Sequence, residues 1–125
     1  MLLPQHLFLP VTYPDMISID DFNKVEVKIG TVRSAERVPE TDKLLRLVVD
    51  FGEEPGPRQI ISGIATYVSE TESLVGRQLA FVTNLEPRTI KGLESNGMLF
   101  AVSTEEGMFS LLAPSDEIPA GTRAK

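Results

Sequence analysis

The sequence predicts an all-β protein: a five-stranded OB-type barrel with one short helix between strands three and four, and extensions at both termini. Three observations carry this. Apolar residues alternate with polar ones in short runs, turn-forming glycines and prolines separate the runs, and only one stretch has helical start and stop signals. The first run, "VEVKIGTVRSA", sets Val25, Val27 and Ile29 against Glu26 and Lys28, which predicts a half-buried strand. Gly30 interrupts it, where a bulge or bend would let one strand serve two sides of a barrel. "LLRLVVDF" puts Leu45, Leu47, Val49 and Phe51 on one face and Arg46 and Asp50 on the other. "GEEPGP" is a turn by composition, and "RQIIS" begins a third strand. "SETESLVG" predicts one or two helical turns, with Ser69 as cap, Glu72 three residues on and Gly76 at the close. "QLAFVTN" and "GMLFAVS" follow as strands four and five, and "MFSLLA" as a sixth short run.

This element order, with a bent first strand, is that of the OB barrel; a small sandwich with the same strand count competes with it. The chain divides into an apolar extension over 1–17, the barrel over 18–113 and a second extension over 114–125. The apolar start, "MLLPQHLFLPVTYP", lacks a basic leader, and Pro4 and Pro10 break it, so it does not read as a signal peptide. It is expected either to cover the body or a partner subunit, or to be a loose terminus. No apolar run approaches a membrane span.

The composition excludes whole classes of chemistry. There are no cysteines and a single histidine, His6, so thiolate sites, disulfides and His-based triads have no members to draw on. Absence of cysteine fits a reducing cytoplasm. The acid pairs Asp20/Asp21, Glu53/Glu54 and Glu105/Glu106 fall at element starts or turns, with no companion base or nucleophile. Neither catalysis, nor a metal, nor a cofactor is expected.

With 12 basic against 18 acidic residues, the net charge of −6 argues against indiscriminate nucleic-acid binding. Charges further apart than about 10 Å are largely screened, so the placement of the cations matters more than their sum. An OB fold presents ligands to the loops joining strands 1–2 and 4–5 and to the face of strands two and three. Those loops are "ERVPETDK" and the segment "NLEPRTIKGLESNGMLFA". Arg37 and Lys43 flank the first, Arg46 and Arg58 lie on strands two and three, and Arg88 and Lys91 lie in the second. Half of the basic residues thus fall on one expected surface, gathered at one barrel rim.

The stretches "DFNKVEVKIGTVRSAERVPETDKLLRLVVDFGEE", "RQIISGIA" and "LVGRQLAFVTNLEPRTIKGLESNGMLFA" resemble the tRNA-binding domain family over about Ile19 to Lys125. That module is fused to many methionyl-tRNA synthetases and to bacterial phenylalanyl-tRNA synthetase beta subunits, and also stands alone. The resemblance implies an OB fold, a homodimer joined through terminal extensions, and tRNA as partner. Arg58 and Arg88 are suited to fork onto phosphates, and Lys43, Arg46 and Lys91 to add positive charge. Ser62, Asn84 and Ser95 offer polar groups to sugar or base edges, although Ser62 equally suits a hydrogen bond inside the barrel mouth. Met98, Phe51, Phe81 and Phe100 are expected in the core. Where the family commonly reads "NLKPRKLRG", this chain has Glu86 and Thr89, which removes positive charge. Aromatic residues are 6% of the chain, which favours recognition of folded RNA by backbone shape over base stacking.

The expectation is a non-catalytic tRNA-binding module, acting with or as part of an aminoacyl-tRNA synthetase in the cytoplasm. The alternative is a dimer like the CsaA proteins, which the same family includes and which bind unfolded peptide.

Overall fold

The computed structural model describes residues 15–125; the apolar leader and His6 lie outside the described residues. A single-turn helix, α1 (Ile19–Phe22), is capped by the Ser18 hydroxyl, which accepts the Asp21 N–H. Four antiparallel strands follow: β1 (Val27–Arg37), β2 (Leu45–Asp50), β3 (Arg58–Ser62) and β4 (Gln78–Val82). The rest of the chain supplies a hairpin of β5 (Arg88–Ile90) and β6 (Leu93–Ser95), then β7 (Met98–Leu99), and a second hairpin of β8 (Ala101–Ser103) and β9 (Phe109–Leu111). The main sheet runs β3-β2-β1-β4-β7. It nearly closes because the β6 segment lies on β3: Asn96 N–H donates to the Gln59 carbonyl at 2.8 Å, and Ile61 N–H to the Ser95 hydroxyl at 3.0 Å. This is the five-stranded OB-type barrel the sequence predicts.

β2 follows its alternation: Leu45, Leu47 and Val49 are fully buried with Ile60, Leu79 and Phe81, while Arg46, Val48 and Asp50 face outward. β1 does not follow its alternation. Gly30 and Val32 point inward, Val27 and Ile29 are only half-buried, and Val25 is exposed. The reason is non-local. Residues 121–124 return along the first half of β1, with bonds Gly121 N–H to Ile29 O, Ile29 N–H to Thr122 O and Ala124 N–H to Val27 O. The C-terminal extension therefore shields residues whose pattern suggested a core face. The bend falls between Val32 and Ser34, where the register with β2 slips, and not at Gly30. Gly30 answers to packing, since a Cβ there would stand 2.5 Å from Val49 and 2.6 Å from the Phe51 ring.

The helix expected over 69–76 is a 3₁₀ turn, Thr71–Leu74, preceded by another at Ala65–Tyr67. Four residues are too few to offset α-helix nucleation, and the fully buried Leu74 anchors the turn instead. Ser69 does not cap it; Gly76, at φ +86°, does close it. The expected fifth strand breaks at Phe100, half-buried, and Met98 is 37% exposed rather than core. No helix among the described residues is long and apolar enough to cross a membrane.

Candidate nucleic-acid interface

The register decides where each predicted site residue stands. β1 and β4 are antiparallel, with Val27 opposite Val82. The loop leaving β1 and the loop leaving β4 therefore exit opposite ends of the barrel and flank the outer face of β2 and β3. The cations are consequently not gathered at one rim, because antiparallel neighbours cannot deliver both loops to the same end. Glu94 of the hairpin shares a cleft with the 53–59 turn, which sets the β5–β6 arm at that end and Lys43 at the other.

Lys43, Arg88 and Lys91 are exposed, and among the described residues no ion pair includes them. Lys43 is held by its backbone, its carbonyl accepting the Ala65 N–H at 2.9 Å. Arg88 stands opposite Ser95 across the hairpin, while Glu94 pairs with Thr89 on the other hairpin face, pointing away from it. Lys91 and Gly92 form the two-residue tip between Ile90 and Leu93, both with positive φ (+50° and +80°). This tip was not predicted: two-residue turns of this kind usually announce themselves with Asn-Gly or Asp-Gly, and a lysine hides the signal.

Arg46 lies between the two ends on the outer face. Its guanidinium donates to Gln59 Oε1 and to Glu36 Oε1, each at 2.7 Å, with both charged partners well exposed. Such a pair contributes about 0–1 kcal/mol and yields readily to a better anion. Ser62 is half-buried at the barrel mouth beside Leu45.

Four of the residues expected on the ligand surface serve the fold. Arg58 sits opposite Val49 and so points into the barrel end, where its side chain is 16% exposed. It forks onto both Glu53 oxygens (2.8 and 2.7 Å), donates to the Thr83 carbonyl at 2.7 Å and lies 5.3 Å over the Phe51 ring. Those bonds hold the Glu53 carboxyl below its ordinary 4.5. Nearby, the Thr83 hydroxyl donates to Glu26 at 2.6 Å and lowers that carboxyl too, helped by Lys28. Asn84 accepts the Glu26 N–H and donates to the Lys24 carbonyl, fastening the start of the loop that carries the arm. Ser95 is 2% exposed and its hydroxyl joins Ile61 to Gly97. Arg37, which flanks the first loop, donates to the Ala65 and Val68 carbonyls.

Comparison with known proteins agrees with this architecture. A family model described as "Putative tRNA binding domain" matches residues 27–123. The chain is 41% identical over 109 residues to a methionine–tRNA ligase of Porphyromonas gingivalis and 49% identical over 109 residues to that of Methanocorpusculum labreanum. These matches cover 87% of the chain but only 16% and 15% of those enzymes. Among solved structures, a MetRS-related protein from Pyrococcus horikoshii superposes with a TM-score of 0.80 at 39% identity, covering 88% of this chain and 98% of that one. The chaperone CsaA from Bacillus anthracis gives 0.76 at 34% identity, covering 88% and 99%. By the extent of the family match and the identity to these relatives, the chain belongs to the tRNA-binding domain family.

Proposed function

We propose that this domain is a non-catalytic tRNA-binding module that holds folded RNA by its sugar-phosphate backbone, in the cytoplasm, with or as an appended part of an aminoacyl-tRNA synthetase. The observation that supports this best is the set of cations in no ion pair among the described residues, Lys43, Arg88 and Lys91, flanking a face whose central Arg46 is held by an exposed ion pair and one bond to Gln59. Arg46 turns from Glu36 to a phosphate, and Ser62 offers a hydroxyl at the mouth. Arg58, Asn84 and Ser95 support the surface from within. With few contacts, affinity is modest and its salt dependence shallow. Folded tRNA is titrated against wild type and Arg88→Ala/Lys91→Ala at two salt concentrations; equal affinity of the two proteins removes the arm from the site.

The module is proposed to work as a homodimer joined through its terminal extensions. Sedimentation of the full chain and of a chain lacking the apolar leader checks this, a monomer in both contradicting it.

A peptide-binding reading has one observation in its favour besides the likeness to a chaperone: Val102 and Met108, 50% and 72% exposed, line an apolar depression of about 260 Å³ with Phe109. Binding of unfolded peptide that persists at high salt, with no affinity for tRNA, would establish it instead.

A further inference from the structure

The exposed aromatic rings among the described residues are Phe22 and Tyr67. Tyr67 is 48% exposed, yet its ring is fixed: it stacks on Phe109 with centroids 4.4 Å apart and planes 5° from parallel. Phe109 is half-buried against the core. One ring face is thus backed by packed protein, and the ring borders a cleft of about 340 Å³. Arg77, exposed and in no ion pair among the described residues, lies on the same cleft with Ser69 and Ser110. A pre-set aromatic plane beside a free guanidinium and hydroxyls matches the chemistry of a nucleotide: a base for the ring, a phosphate for the arginine. The cleft adjoins the proposed RNA surface, because the turn carrying Tyr67 is bonded to Lys43 through Ala65 N–H.

We infer that the Tyr67–Arg77 cleft takes an unpaired nucleotide of an RNA strand whose folded part lies on the Lys43–Arg46 face. The base extends the Phe109–Tyr67 stack and its phosphate bonds Arg77. This rests on the tRNA-binding reading and adds to it a contact to single-stranded RNA that backbone recognition alone does not supply. The β2–β3 face reads shape, and the cleft distinguishes RNA with an accessible unpaired base from a closed duplex.

The full chain is titrated with short oligoadenylate and, separately, with a blunt RNA duplex. Tyr13 and Tyr67 are the two tyrosines and there is no tryptophan, so a Tyr13→Phe background leaves Tyr67 as the sole source of tyrosine emission. Oligoadenylate is expected to quench that emission. Its affinity should fall about tenfold in Tyr67→Leu, scored by anisotropy of labelled strand, and recover in Tyr67→Phe. Arg77→Gln, on the surface, should weaken it without lowering the melting temperature. Duplex affinity should ignore all three changes and fall in Arg88→Ala/Lys91→Ala. Absence of oligoadenylate binding to wild type, or equal binding to wild type and Tyr67→Leu, overturns the cleft. Tyr67-dependent oligoadenylate binding with no affinity for duplex or tRNA keeps the cleft and removes the backbone reading.

Discussion

Arg58 and Arg88 are the same residue type in motifs that suggest the same task, yet the barrel treats them oppositely. Arg58 lies at the inward end of β3, clasped by Glu53, Thr83 and Phe51. Arg88 lies on the β5–β6 arm, exposed and in no ion pair among the described residues. One strand position beside Val49 turns the first guanidinium into part of a plug; the hairpin turns the second into a free charge. In an acidic protein a cation is available to a ligand only where the fold keeps acids away from it, so position within the strand outweighs residue type.

The largest effect is expected from Arg58→Met. It leaves Glu53 as a half-desolvated charge and removes the ring contact, and should cost about 2 kcal/mol after allowance for partial exposure. A fall in the denaturant midpoint checks it; an unchanged midpoint means the clasp holds nothing. Next in size, Arg88→Ala/Lys91→Ala should lower tRNA affinity on the order of tenfold and flatten the salt slope by roughly 1.8, two duplex phosphate contacts' worth. Its thermal stability should stay within about 0.5 kcal/mol of wild type.

Lys91 is held in the left-handed region by the hairpin tip. Lys91→Gly should stabilise by about 0.5 kcal/mol while weakening tRNA binding, so stability and affinity move in opposite directions. Loss of both in parallel would mean the lysine packs rather than binds.

Acid gives the smallest effect. Glu53 and Glu26 are held below their ordinary 4.5, by the Arg58 bonds and the Thr83 hydroxyl first. Groups with depressed folded values bind fewer protons folded than unfolded. Their stabilisation is complete above the unfolded value and drains away as pH falls below 4.5 through the lowered one. Melting temperature should therefore fall on acidification in that window, and fall less in Arg58→Met, which has lost the partner. An equal decline in both proteins places the acid sensitivity elsewhere.

Much of the barrel could be read from the chain because β2 is buried on one face and hence strictly alternating. β1 misled because its half-buried residues are shielded by a segment some ninety residues later, which no local pattern registers. The cations of the proposed site that form no ion pair among the described residues, Lys43, Arg88 and Lys91, were visible as loop charges. The inward turn of Arg58 was not, because it depends on the β2–β3 register. Nor was the Tyr67 cleft, since its two rings come from segments far apart in sequence.

The most direct test is the slope of tRNA affinity against salt for wild type, Arg58→Met and Arg88→Ala/Lys91→Ala, each measured well below its melting temperature. Arg58→Met should keep the wild-type slope and the double variant should flatten it. A flattened slope in Arg58→Met with an unchanged one in the double variant would contradict this assignment.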